Sequence, residues 1–184
     1  MISLVFDTET TGIPIHPNAR MSVQPCIIEW GGVLVNSAGE ILDELDLLIN
    51  PEFIPTDGSG NLLTKEKIVK ISGIDTDILK DHPPFAEAAK KIRSFFERAD
   101  QLVAHNLPFD YTMMELDLKR AEITDWPWPK ILTCTVQEHF EDWGRFPKLL
   151  ELYEFYTGKP LVQKHRALDD VMALVEVCKH CGVL

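Results

Sequence analysis

The 184-residue chain has no apolar run approaching the ~20 residues that a membrane-spanning helix needs. Its opening, Met1 to Asp7, lacks a basic segment and reaches an acid too early for a secretory leader, so a cytoplasmic, intracellular chain without membrane contact is expected. Cysteine is sparse, and Cys26, Cys134, Cys178 and Cys181 are expected as reduced thiols. Cys178 and Cys181 form a Cys-x-x-Cys, but without a second pair at matching spacing this is a weak zinc or redox signal. Positive charge is scarce too: 18 Lys and Arg stand against 29 Asp and Glu, a net charge of −11. That argues against a broad electrostatic grip on nucleic acid, which relies on Lys and Arg. It leaves room for a small acidic site that gathers cations, and for short or end-bound substrates. Internal repeats, linkers and low-complexity tracts are absent, so one domain over residues 1–184 is expected. Its 45% hydrophobic and 26% charged composition is that of an ordinary globular protein.

What is present begins with an apolar β-type run from Leu4, followed by a loop from Ile13 to Gln24. Strands are predicted over Cys26–Asn36 and Glu40–Ile49, joined by turn residues at 36–39, so that the first three strands form an antiparallel meander. Asn50–Asn61, with two prolines and two glycines, reads as a loop, and Thr64–Ile71 as a short helix. Phe85, Ala88, Ala89, Ile92, Phe95 and Phe96 follow helical spacing. Gln101–Ala104 is a short strand, after which Asn106 suits a helix cap and Pro108 a first turn. Ile131–Thr135 supplies a fifth strand, Lys148–Tyr156 a helix, and Ala167–Cys181 a last helix with Leu168, Val171, Met172, Val175 and Cys178 inward. The result is an α/β fold, a mixed five-stranded sheet with helices on both faces.

Three places concentrate acids. Asp7 and Glu9 lie two residues apart on a strand, so both carboxylates point to one face. Such a pair repels unless a proton or a cation sits between, and hard cations such as Mg²⁺ take oxygen ligands of this kind. A strand with a merely acidic solvated face explains this fragment, taken alone, equally well. Asp110 falls in the first turn of a helix leaving a strand, where the helix dipole favours an acid whatever its function. Asp170 lies near the start of the last helix, with His165 just outside it. Singly, each of these is more often a cap, a dipole partner or a surface residue.

In order, the segments 7–12 (Asp-Thr-Glu-Thr-Thr-Gly), 105–110 (His-Asn-Leu-Pro-Phe-Asp) and 165–170 (His-Arg-Ala-Leu-Asp-Asp) resemble the DEDD exonuclease superfamily, in its histidine-bearing DnaQ-like (DEDDh) branch. Residues 71–74 also look like a family element, and the resemblance covers nearly the whole chain. It implies a ribonuclease H-like fold and an enzyme, a metal-dependent 3′-5′ exonuclease. Asp7, Glu9, Asp110 and Asp170 would be the four metal-binding carboxylates and His165 the general base. Asp169 is not the family position, being about 100° of helix away from Asp170. Thr10, Thr11, Gly12, Asn106 and Phe109 would serve the substrate, and two Mg²⁺ or Mn²⁺ ions would be the cofactors. Segment 136–146 departs from the family pattern. Trp126, Trp128, Trp143 and Phe146 are candidates for stacking on bases, with core or lid packing the more ordinary role, and Ser72-Gly73 for backbone contact with the terminal base.

The expected substrate is the 3′ end of nucleic acid, single-stranded DNA favoured. RNA trimming by an exoribonuclease or oligoribonuclease is the alternative within catalysis, since no motif identifies a 2′-OH contact. A non-catalytic module bound to a polymerase is the alternative outside it, and a proofreading subunit, to which a basic partner delivers the substrate, is a further reading. All five reactive positions are occupied, which an inert module would be expected to have lost.

Overall fold

A computed structural model describes residues 1–52, 63–162 and 165–184. The greater part of the loop expected over Asn50–Asn61 lies outside the described residues. Among the described residues five strands form one sheet: β1 (Ile2–Thr10), β2 (Ile27–Asn36), β3 (Ile41–Leu48), β4 (Gln101–Ala104) and β5 (Ile131–Cys134), in the order β3-β2-β1-β4-β5. β1 pairs antiparallel with β2 and β2 with β3, while β4 runs parallel to both β1 and β5. The meander and the mixed sheet are as the sequence pattern predicts. Among the described residues seven α-helices accompany the sheet: α1 (Lys65–Ser72), α2 (Phe85–Phe96), α3 (Leu107–Arg120), α4 (Thr135–Glu138), α5 (Phe140–Trp143), α6 (Leu149–Thr157) and α7 (Ala167–Cys181).

Strand parity divides the core into two. Leu4 and Phe6 of β1 join Trp30, Ile92, Phe96 and Met113 on the side of α2 and α3. Val5 joins Val33, Val103, Leu152, Val171 and Leu174 on the side of α6 and α7. A strand covered on both faces must be apolar almost throughout, which is why nine of the ten residues of β2 are buried. The six apolar residues expected to face inward from α2 are all buried. Two local expectations fail. Met172 is exposed, because it lies about 100° round the helix from Val171, away from the sector that Leu174, Val175 and Cys178 bury. Asn106 precedes α3 in the left-handed conformation (φ 69°) and its side chain caps nothing, whereas Thr64 does cap α1, accepting a bond from the Lys67 amide at 3.3 Å. Trp126 and Trp128 pack edge-on against Phe96, with centroids 5.2 and 5.4 Å away, as core residues.

Among the described residues no helix is long and apolar enough to cross a membrane.

Candidate active site

Parity on β1 decides where the acids go. Asp7 and Glu9 continue the register of Val5 and therefore face α7, while Thr8 continues the register of Phe6 and faces α3. α7 enters on that first face, and its Asp170 completes a cluster: one carboxylate oxygen from each of Asp7, Glu9 and Asp170 lies within 4.8 Å of the others. Asp110 arrives from the opposite side, in the first turn of α3. It is 1% exposed, and its Oδ1 accepts from the Thr8 amide at 3.0 Å and the Thr8 hydroxyl at 2.7 Å. Thr8, the residue between the two acids of β1, thus fixes the fourth carboxylate. The alternation of β1 carried that signal, but the spacing of acids alone does not pick Thr8 out.

Among the described residues no Lys, Arg or His pairs with Asp7 or Glu9. The carboxylates are therefore poor acids. Burial, then the charges of Asp110, Glu9 and Asp170, raise the Asp7 carboxyl well above its usual range. Burial and the neighbouring Glu29 push Glu9 up to about 8. Burial raises Asp110 to about 7 despite the two bonds from Thr8. Oxygen-only donors that gather in this way are the donor set a hard divalent ion takes. The residues present fit such an ion.

The place of α7 is set by β2. Gly31, opposite Asp7 in the β1–β2 register, lies so close under α7 that a Cβ there would sit 2.5 Å from the Leu168 amide nitrogen and 2.7 Å from the Ala167 carbonyl carbon. Two residues earlier on the same face, the fully buried Glu29 accepts from the Ala167 amide at 2.9 Å and from Arg166 Nε at 2.7 Å. A small residue and a buried acid thus seat the first turn of α7 on the sheet, which brings Asp170 to Asp7. Sequence reasoning missed both. Glu29 sits inside an apolar run where a lone acid is costly, and that cost was the signal available.

His165 is exposed, with a left-handed backbone (φ 51°), and directly precedes Arg166. It is not among the groups that lie within 4.8 Å of one another in the three-carboxylate cluster. Gly73, the left-handed residue that ends α1, abuts it: a Cβ there would lie 3.8 Å from the His165 carbonyl oxygen. His105 lines the same cavity as Asp7 and Asp170. Burial lowers it to about 4, and its Nδ1 lies 3.0 Å from the Thr135 hydroxyl. A histidine so hard to protonate is a weak base, which suits orienting rather than proton acceptance.

Thr10 and Thr11 are buried. The Thr10 hydroxyl donates to the Gly12 carbonyl at 2.7 Å, and the Thr11 hydroxyl accepts from the Cys26 amide at 2.9 Å. The Thr11 amide also donates to the Cys26 carbonyl at 2.9 Å, so the end of β1 is held to β2. Phe109 is half-buried against the α2–α3 core, and Asn106 is exposed. A cavity of about 420 Å³ opens from the acids and is lined by Asp7, Asp170, His105, Asn106, Phe146 and Lys148, among others. A larger groove of about 760 Å³, between residues 14–17 and α3, contains none of the four acids. Cys178 is buried and Cys181 half-buried, each with a free thiol; the latter's Sγ lies 3.8 Å from the Cys178 carbonyl, and neither joins a metal-binding group among the described residues.

An exonuclease family model (RNase_T) matches residues 4–178. The chain belongs to this family of exonucleases. It is similar to the PolC-type DNA polymerase III of Caldanaerobacter subterraneus subsp. tengcongensis, with 31% identity over 95% of this chain and 11% of that protein. It also resembles the DNA polymerase III subunit epsilon of Pasteurella multocida, with 29% identity over 65% of this chain and 43% of that subunit. The chain thus spans about a tenth of the PolC-type relatives it matches. Among solved structures, the nuclease domain of 3′hExo, a DEDDh family member bound to rAMP, superposes with a TM-score of 0.72 at 16% identity, covering 97% of this chain and 90% of that one. The E. coli ExoI–ssDNA complex superposes with a TM-score of 0.74 at 15% identity, over 99% of this chain and 40% of that one. These likenesses agree with the ribonuclease H-like expectation for the sheet and its helices, and the acidic cluster agrees with the divalent-metal dependence of the family.

Proposed function

We propose that this chain is a single exonuclease domain that removes nucleotides from the 3′ end of single-stranded DNA, releasing nucleoside 5′-monophosphates. The observation that carries this reading is the convergence of Asp7, Glu9 and Asp170 at the mouth of a cavity, with Asp110 buried behind Thr8. DNA is favoured because the sequence relatives are DNA polymerase III chains.

Asp7, Glu9 and Asp170 would hold one divalent cation, Mg²⁺ or Mn²⁺, and Asp7 with Asp110 a second. When bound, such ions neutralise charge developing on the phosphate and make water a better nucleophile. The chain's own part is to fix the carboxylates through Gly31, Glu29 and Thr8, and to supply a base. His165 would accept at a ring nitrogen the proton of the attacking water. As the water oxygen bonds to phosphorus, the bond to the 3′ oxygen of the preceding nucleotide breaks. That oxygen takes a proton from solvent water to become the new 3′ hydroxyl, and the terminal nucleotide departs with its 5′ phosphate. Backbone groups of Thr10 to Gly12 would contact the departing nucleotide, supported by Asn106 and Phe109.

RNA trimming is the second reading, favoured by structural neighbours that include the 3′-exonuclease described with the histone mRNA stem-loop, at 17% identity. A polymerase partner is a further proposal, since an acidic chain would gain from a basic partner that delivers the strand. The test is product analysis on matched single-stranded DNA, duplex DNA and RNA, each with Mn²⁺ and with chelator. Mn²⁺-dependent release of 5′-monophosphates, fastest on single-stranded DNA, is expected. Faster digestion of RNA replaces the DNA reading with the RNA one, and no digestion of any substrate overturns the activity.

A further inference from the structure

The cavity that opens from the acids has a second wall that the assignments above leave unused. Phe146 stands on it with 63% of its surface exposed, and Phe140 (44% exposed) lies beside it, ring centroids 4.9 Å apart. Water is a poor environment for two large rings, and such exposed apolar surface marks a binding face when it borders a site. The rings are held in place. Arg145 binds Glu151 through both arms at 2.8 and 2.7 Å, and Glu151 also accepts from the Lys148 amide at 2.7 Å. The turn from 145 to 148 is thereby tied to the start of α6, so Phe146 need not be ordered on binding. Among the described residues lining the cavity, Lys148 alone carries a positive charge, set against Asp7 and Asp170, with His105 held neutral.

An aromatic face and one ammonium bordering an anionic cleft match one repeat unit of single-stranded nucleic acid, a base to stack and a phosphate to pair. Resting on the exonuclease reading, we propose that Phe146 and Lys148 form a subsite for the nucleotide next to the terminal one. Its base stacks on Phe146, and its 5′ phosphate pairs with Lys148. Thr10 to Gly12, assigned to the terminal nucleotide, do not line this cavity, so the strand runs from them across the acids to the aromatic wall. The subsite makes the enzyme prefer strands to mononucleotide esters and lets it tolerate any base sequence, because every base has a face to stack.

The test compares a short single-stranded oligonucleotide with the p-nitrophenyl ester of thymidine 5′-monophosphate, which has no second nucleotide. Hydrolysis of the ester by the wild-type enzyme reports the chemistry by itself. If the ester and the oligonucleotide are both inert, the exonuclease reading has failed. With that reading intact, Phe146→Ala is expected to lower kcat/KM for the oligonucleotide roughly tenfold or more, and well beyond its effect on the ester. Phe146→Tyr restores the ratio. Lys148→Gln flattens the salt dependence of kcat/KM for the oligonucleotide by a slope of about 0.7, one phosphate contact on a single strand. Equal losses on both substrates place Phe146 at the terminal nucleotide and overturn the proposal. Unchanged ratios, or an unchanged salt slope in Lys148→Gln, overturn it as well.

Discussion

Two kinds of carboxylate meet around this small sheet. Asp117 on α3 (2% exposed) accepts from the Ile27 amide at 2.8 Å and pairs with Arg120, whose other arm reaches the Pro25 carbonyl at 3.1 Å. Glu29 on β2 is bound in the same manner, by Arg166 and a backbone amide. Each of these acids ties a helix to β2 with an arginine and an N–H. Asp7 and Glu9 have neither. A buried charge closed by an arginine is scaffold, because its demand for a partner is met inside the fold. The half-buried pair Asp7 and Glu9, without such an ion pair, keeps that demand for something from outside.

The largest effects should separate the two kinds. Asp7→Ala is expected to reduce exonuclease activity roughly 10³-fold or more while the metal-free protein melts no lower than wild type, since one repelling charge has gone. Asp117→Ala is expected to do the opposite: a loss of about 3–5 kcal/mol of stability, because Arg120 and the Ile27 amide lose a buried partner. Activity per folded molecule should then change little. Thermal melts and activity measured on both variants check the pair. The distinction collapses if Asp7→Ala melts far below wild type, or if Asp117→Ala is inactive though folded.

Gly31 links scaffold to site. A methyl group there meets backbone atoms of Ala167 and Leu168 rather than a side chain that could swing aside. Gly31→Ala should therefore shift the first turn of α7, and Asp170 with it. A misplacement of this kind costs roughly 10²-fold in rate. Metal affinity should fall in parallel, as titration with Mn²⁺ would show. Wild-type metal affinity in Gly31→Ala would mean that Asp170 reaches the acids by another route. His165→Ala tests the remaining assignment: kcat should drop by about 10² or more, with metal binding less affected. A pH–rate profile identical to wild type would remove His165 as the base.

The fold was legible because its signals are local and repeated. The six inward residues of α2, the meander and the order of elements all follow from periodicity and turn residues. The acids were legible because the i, i+2 spacing on β1 puts Asp7 and Glu9 on one face. What escaped was long-range. Gly31 meets α7 across 136 residues of chain, from 31 to 167, and no local pattern announces that approach. Glu29 interrupts an apolar strand, and its partner Arg166 lies 137 residues along the chain. Asn106 was expected to cap α3 by its residue type, but its left-handed backbone points the side chain elsewhere.

The gentlest probe of the two kinds of acid is pH. Glu9 and Asp110 titrate near 8 and 7 in the metal-free fold, above their unfolded values. The folded state therefore holds protons that the unfolded chain gives up. Stability from this source is complete below about pH 4, near the unfolded values, and is lost as pH rises through 7 to 8. The exposed acids Asp77 and Glu151, each lowered to about 2 by Lys or Arg partners, act in the opposite sense and only at more acid pH. In chelator, the melting temperature should decline between pH 5 and 8. Millimolar Mg²⁺ or Mn²⁺ should raise it most at the upper end, because the ions bind only the folded, deprotonated site. Asp110→Asn should flatten the decline, since one of the protons concerned has been replaced by an amide. A metal-free melting temperature that rises from pH 5 to 8 would mean that the four acids do not share their protons as a crowded site must, and that some internal cation satisfies them as Arg120 satisfies Asp117.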